Sequence, residues 1–293
     1  MSEVMKWKHG NTWYRVIGDL KSGKTPLLVL HGGPGAGHNY VIPIAEQIAQ
    51  TGRATILYDQ IGCGNSSHFP DAPKDFWQPE LFMEEILALT KHLGIADNYH
   101  IVGQSWGGML GMQFAISHPT GLKSIVIADS PASMDVWVSE ANKLRAELPP
   151  EVQATLLKHE ADETTDHPDY VSAVDVFYAK HLCRIPQPAC VVASFEQMGA
   201  EPTVYHTMNG PSEFHVIGSL KTWDIRKDLG KINIPTLLVS GQFDEATPAM
   251  VEEIHKLIPG SKWELFPESS HMPHVEEPAR FKRIVCEFLD TIA

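Results

Sequence analysis

Six short apolar runs, separated by amphipathic stretches, constrain this chain more than any other feature. They occupy residues 27–30, 55–58, 100–102, 125–128, 236–239 and 263–266, and each gives way to a turn-forming or polar residue. Their hydrophobicity is near-continuous rather than alternating, which is the mark of strands covered on both faces in a parallel sheet. Between them lie helical patterns. Phe82, Ile86, Leu89 and Leu93 recur at spacings of four, three and four, and Phe281, Ile284, Val285, Phe288, Leu289 and Ile292 form a second stripe behind Pro278. A proline suits the first turn of a helix, where its missing N–H would have no partner anyway. Strand–helix alternation of this kind predicts the α/β class, with a doubly wound, mostly parallel sheet flanked by helices.

The alternation stops over residues 131–233. Helical patterns near 136–148, 152–159, 169–182 and 189–198 replace it, punctuated by Pro149, Pro150, Pro168, Pro186 and Pro188. This stretch is predicted to be a helical cap inserted between two parts of one core, residues 1–130 and 234–293. Ligands of open α/β sheets bind at the carboxyl ends of the strands, so a cap there would roof the active site.

Charge and cysteine usage narrow the partners. The 293 residues carry 23 Lys+Arg against 36 Asp+Glu, a formal net charge of −13. Nucleic acid and anionic membrane surfaces attract Lys/Arg patches, so neither is an expected partner. No run of eighteen apolar residues occurs and the N-terminus has no apolar signal core, so a cytoplasmic location is expected. Cys63, Cys183, Cys190 and Cys286 are scattered without C-x-x-C spacing and read as reduced packing thiols. His271 and His274, followed by Glu276, lack the H-E-x-x-H form, and no metal is expected.

Chemistry concentrates behind three of the runs. Gly103-Gln104-Ser105-Trp106-Gly107-Gly108 follows the run 100–102 and opens a helical pattern. G-x-S-x-G in a strand–turn–helix context projects the serine hydroxyl above the sheet, so Ser105 is the candidate nucleophile. A serine hydroxyl needs a base and an orienting acid. Asp244 stands in the loop after 236–239, and His271 in the loop after 263–266, both at carboxyl ends of strands. His255 falls in a helical pattern and His274 directly follows Pro273, which leaves His271 as the base. The run 27–30 leads into His31-Gly32-Gly33-Pro34-Gly35, whose glycines let backbone N–H groups approach a developing oxyanion. The N–H groups of Gly33 and Trp106 are the candidate donors. A phosphate loop would require G-K-[ST] or G-x-G-x-x-G, and neither follows.

With these residues in place, the chain resembles the proline iminopeptidase family of α/β-hydrolases, which includes the tricorn-interacting aminopeptidase of archaea and related L-amino acid amidases. The matching segments are His31–Gly35, Tyr58-Asp59-Gln60-Ile61-Gly62-Cys63-Gly64-Asn65-Ser66, Gly103–Gly108, Met208-Asn209-Gly210-Pro211-Ser212-Glu213-Phe214 and Gly241-Gln242-Phe243-Asp244-Glu245. The resemblance spans essentially the whole chain. It implies the α/β-hydrolase fold, no cofactor, and a short peptide or amino acid amide with a free amino group as substrate. It further implies that Glu213 and Glu245 hold the substrate ammonium; two carboxylates in a roofed, poorly hydrated site would bind a cation better than in water. Trp223 and Phe195 read as packing. Gln104 departs from the pattern, since many bacterial members carry glycine there and archaeal ones serine. Two alternatives share the machinery: an L-amino acid amidase, and a small-molecule carboxylesterase indifferent to the amino group.

Overall fold

The computed structural model describes residues 2–292. Eight strands form one sheet: β1 (Ser2–Trp7), β2 (Gly10–Ile17), β3 (Leu27–Leu30), β4 (Thr55–Tyr58), β5 (Tyr99–Gln104), β6 (Leu122–Ala128), β7 (Thr236–Gly241) and β8 (Lys262–Phe266), in the order β1-β2-β4-β3-β5-β6-β7-β8. Strands β3 to β8 run parallel, and β1 and β2 pair antiparallel at one edge. Chain order gives the helices α1 (Ile42–Ala49), α2 (Pro79–His92), α3 (Trp106–Ile116), α4 (Met134–Arg145), α5 (Pro150–Ala161), α6 (Pro168–His181), α7 (Ala189–Ala200), α8 (Thr203–Met208), α9 (Pro248–Leu257), α10 (Pro273–Glu276) and α11 (Pro278–Asp290).

The continuous apolar runs are explained by the period of two along a strand. Leu28, Leu30, Ile56, Ile101, Ile127 and Leu238 pack on one face against α2, α3 and α9, through Phe82, Ile86, Leu110, Phe114 and Ile254 among others. Their strand neighbours Leu27, Val29, Leu57, Val102, Val126 and Val239 pack on the other face against Ile44 and Ile48 of α1 and Phe281, Val285 and Phe288 of α11. Each such side chain contributes about 1.5–3 kcal/mol by leaving water, so the sheet is held from both sides.

Strands β1 and β2 were not expected from the sequence. They lie at the sheet edge and alternate instead of running apolar, with Met5 buried beside an exposed Val4. A criterion tuned to doubly covered strands passes over them.

Between β6 and β7 the chain forms α4 to α8. Ala141, Leu148, Leu156, Tyr170, Phe177 and Phe214 build a separate apolar cluster within this insertion. Its entry and exit meet at a β-bridge between Ser133 and Asp224, backed by hydrogen bonds from Met134 N–H to the Trp223 carbonyl and from Ile225 N–H to that of Ala132.

Candidate active site

The turn from β5 into α3 places Ser105 at the helix N-cap with φ 55° and ψ −123°. That positive φ is strained for a residue with a side chain, a cost usually held in place by the surrounding structure. Here the surroundings are backbone. A Cβ on Gly103 would lie 2.1 Å from the Gly107 carbonyl oxygen, and one on Gly107 would lie 2.2 Å from that of Leu30. The two glycines of G-x-S-x-G thus let β3, β5 and α3 close tightly beneath the serine.

Asp244 and His271 emerge from the ends of β7 and β8, and both are buried. His271 Nδ1 stands 2.7 Å from Asp244 Oδ1, which also accepts the Ala246 N–H at 2.8 Å. Burial pulls the imidazole pKa down. The charge and hydrogen bond of Asp244, with Glu213 and Glu276 behind them, outweigh burial and hold it above its ordinary value. Ser105 and His271 line one pocket with Gly33, Tyr40, Gln104 and Glu213. Among the described residues no hydrogen bond joins the Ser105 hydroxyl to the imidazole; in a ligand-free hydrolase such bonds are often long and tighten with substrate. Ser105, Gly33 and Glu213 also border a second, narrower pocket walled by Met109, Met134, Trp137 and Leu220. The serine therefore stands between two compartments.

Gly33 has φ 106°, and Trp106 opens α3. The first N–H groups of a helix have no intrahelical acceptor. Neither the Gly33 nor the Trp106 N–H donates to a loop or turn carbonyl among the described residues.

Residues without an assigned role in the sequence reading brace these donors. Gln60 donates through Nε2 to the His31 carbonyl at 2.8 Å, receives the Trp106 indole N–H at 2.9 Å, and gives its backbone N–H to His31 Nε2 at 3.0 Å. Burial lowers the pKa of His31 to about 4, so the ring stays neutral and can accept that bond. Asp59 takes the His38 N–H at 2.8 Å and the Asn65 N–H at 2.8 Å, tying the glycine loop to the segment that follows β4. Gln104 links three parts of the site: the Gly32 N–H donates to the Tyr40 hydroxyl, that hydroxyl donates to Gln104 Oε1, and Gln104 Nε2 donates to the His271 carbonyl at 2.8 Å. The signal for Gln60 and Asp59 was their place in a motif directly after a parallel strand.

Glu213 faces both compartments, with Oε1 accepting from Tyr205 at 2.7 Å. Glu245 is fully buried, 4.0 Å from His271 Nε2, and neither of its carboxylate oxygens has a donor. Burial raises the pKa of both carboxyls, and for Glu245 the charges of Glu213 and Asp244 add to it. Phe195 lines the first of the two pockets, whereas Trp223 packs away from it and donates to Gln113.

His274 and Glu276 do not converge with His271 on a metal. His274 Nε2 bonds the Tyr40 carbonyl, burial lowers that ring's pKa to about 3, and Glu276 receives the Ser270 N–H and hydroxyl. His159, His167 and Asp169 cluster elsewhere, in the insertion. There the two rings stack with planes 20° apart, so their in-plane lone pairs do not meet at one point.

The α/β hydrolase fold family profile matches residues 25–278. A proline iminopeptidase of Clostridium botulinum is 36% identical over 287 residues, covering 98% of this chain and 97% of its own length. The chain belongs to the proline iminopeptidase family. The crystal structure of the proline iminopeptidase of Mycobacterium smegmatis superposes with a TM-score of 0.92 at 47% identity, covering 99% of this chain and 98% of that one. The crystal structure of VinJ gives 0.98 at 46%, covering 100% and 99%. As in this family, the protein is a serine hydrolase on a mostly parallel sheet. Among the described residues no helix is long and apolar enough to cross a membrane.

Proposed function

We propose that this protein is an aminopeptidase that releases the N-terminal residue of short peptides or amino acid amides through Ser105, His271 and Asp244. The observation that carries the amino-end requirement is Glu245, a buried carboxylate without a donor, near a second carboxylate, Glu213, that faces the cavity bordering Ser105. A substrate ammonium would supply the missing donors. The names of the relatives support an amide bond behind an N-terminal residue as the target. A carboxylesterase of neutral esters would gain nothing from Glu245.

In this reading His271 Nε2 takes the Ser105 proton as Oγ attacks the scissile carbonyl carbon. Asp244 fixes the tautomer with the proton on Nδ1 and stabilises the imidazolium, while the N–H groups of Gly33 and Trp106 hold the oxyanion. The C–N bond breaks as His271 protonates the departing nitrogen. Water then repeats the sequence on the acyl-enzyme and frees the amino acid. Residues 131–233 act as a cap whose Glu213 meets the core's Glu245 at the substrate amine. Four free cysteines suit a reducing, cytoplasmic setting.

The test is Ser105→Ala assayed on aminoacyl p-nitroanilides. Loss of turnover by several orders of magnitude is expected, and hydrolysis at the wild-type rate would overturn the assignment.

A further inference from the structure

Behind the acid of the proposed triad lies a second buried carboxyl that the mechanism above does not use. Asp129 directly follows β6, the strand paired with β7, and is completely buried. Its φ of 54° turns the chain sharply at the strand end; aspartate is one of the few side-chain-bearing residues that adopts this region readily. Its N–H donates to the Val239 carbonyl at 2.9 Å, and its Oδ1 accepts the Gly241 N–H at 3.2 Å. Both bonds tie it to the strand that delivers Asp244.

The oxygens of the two carboxyls can be accounted for one by one. Asp244 Oδ1 receives His271 Nδ1 and the Ala246 N–H, and Asp129 Oδ1 receives Gly241. The oxygens left over are Asp129 Oδ2 and Asp244 Oδ2, both fully buried and without a donor from any other group. The two carboxyls sit at the carboxyl ends of paired strands, and each brings one buried, unpartnered oxygen to that end of the sheet. Two ionised carboxylates have only acceptors, so a contact between those oxygens requires one proton.

We infer that Asp129 is a positioning residue: its carboxyl keeps a proton, donates it to Asp244 Oδ2, and thereby holds Asp244 Oδ1 on the imidazole of His271. The proton belongs on Asp129, because Asp244 already receives two N–H donors and Asp129 only one. Burial first, and the charge of Asp244 second, push the Asp129 carboxyl well above the carboxylate range; Glu276 acts in the same sense and only the Gly241 N–H opposes them. A carboxylic acid kept neutral by an apolar site so that it can donate a hydrogen bond is established chemistry in enzymes. The arrangement leaves one negative charge, not two, beside the imidazole. It also closes the second face of Asp244, which could otherwise rotate and offer His271 the wrong oxygen.

This inference rests on the reading of Asp244 and His271 as acid and base, and its test is built to fail separately. The first measurement is the infrared difference spectrum of wild type minus Asp129→Asn at neutral pH. A carbonyl band of a protonated carboxylic acid, lost in the variant, is expected, and it requires no turnover. The second is the pH profile of kcat/KM. Asparagine still offers an N–H to Asp244, so Asp129→Asn should stay within about threefold of wild type. Asp129→Leu has no donor and should lose about tenfold or more in kcat, the scale of a hydrogen bond to a charged group, with KM little changed. Its acid limb should also move to higher pH. The titratable groups that face His271 are Asp244, Glu213 and Glu276, with Glu245 4.0 Å from its Nε2 and His274 beside it, and an Asp244 without its donor stabilises the imidazolium more strongly. Absence of a carboxylic band from that difference spectrum, or a wild-type rate and profile in Asp129→Leu, overturns the inference. If Asp129→Leu does not fold, the infrared result on Asp129→Asn decides alone.

Discussion

Glu245→Gln removes the ionisable group from a side chain that is fully buried and has no donor among the described residues. In the proposed complex the substrate ammonium faces that carboxyl and offsets the burial that otherwise favours its protonated form. At about 4 Å and an effective dielectric near 20, the attraction is about 4 kcal/mol before desolvation. Stripping water from the ammonium offsets part of this, and charged hydrogen bonds in proteins contribute about 1.5–3 kcal/mol net. The amide oxygen of glutamine still accepts a hydrogen bond, so the loss belongs near the lower end, about tenfold in kcat/KM. The assay compares an aminoacyl p-nitroanilide with its N-acetylated counterpart in wild type and variant. The blocked substrate is a slow one in both, and its rate should change by less than about twofold because it has no cation to lose. This control matters, since Glu245 also lies 4.0 Å from His271 Nε2. A defect in the base would slow both substrates by the same factor. Equal losses on free and blocked amines would refute the ammonium role, and so would an unchanged rate on the free amine. Glu213→Gln should show the same selectivity, and the double variant should depart from additivity because the two carboxyls sit close enough to interact.

Three further outcomes are expected. Because Asp244 with Glu213 and Glu276 holds His271 above its ordinary 6.5, kcat/KM should fall on acidification with a midpoint above 6.5. In Asp244→Asn that midpoint should drop as burial takes over, with kcat down about 10⁴-fold by analogy with other triads; an unmoved midpoint in a kinetic pH profile would count against the pairing. Gly107→Ala drives a Cβ to 2.2 Å from the Leu30 carbonyl oxygen, so the variant should lose activity together with several degrees of thermal midpoint by calorimetry, and a wild-type melting curve would contradict the close packing. Glu85 is buried, bonded to the Thr12 hydroxyl and the Ile61 N–H, and burial raises its carboxyl to about 8. The native state therefore keeps a proton that the unfolded chain gives up near 4.5, and stability should decline as pH rises from about 4.5 to about 8. Glu85→Gln should flatten that slope in urea titrations at several pH values, whereas an unaltered slope would show that Glu85 does not cause it.

The legible part of the fold was the part buried on both sides. Val29 and its neighbours announce a strand because two layers of helices demand apolar side chains at consecutive positions. Met5 in the edge strand β1 and Thr12 in its partner β2 announce nothing, because these strands have one covered face and many residues satisfy it. Helix α8 escaped notice for a related reason: six residues carry too little periodicity. In the candidate site, Ser105, Asp244 and His271 could be proposed from the sequence because each follows a recognisable strand. Asp129 follows one just as closely, yet no motif marks it. Gln60 and Gln104 stand inside motifs, but their partners lie in distant segments: Gln60 reaches His31 and Trp106, and Gln104 reaches Tyr40 and His271.

By itself the sequence determined the doubly covered strands and the longer helices, the chain order of the proposed nucleophile, acid and base, and the glycines that the sharp turn at Ser105 requires. These depend on local periodicity, backbone sterics and chain order, all of which are written into neighbouring residues. Only the tertiary structure decided the protonation and aim of the groups. Whether a carboxyl is ionised depends on how much water it has lost and which donors surround it, and those come from elements far apart in sequence. Nothing in the sequence sets the protonation of Asp129, Glu213, Glu245 or Glu85. Burial makes each of them an acid with a raised pKa, while Asp59, equally buried, is held low by His38 and Asn65.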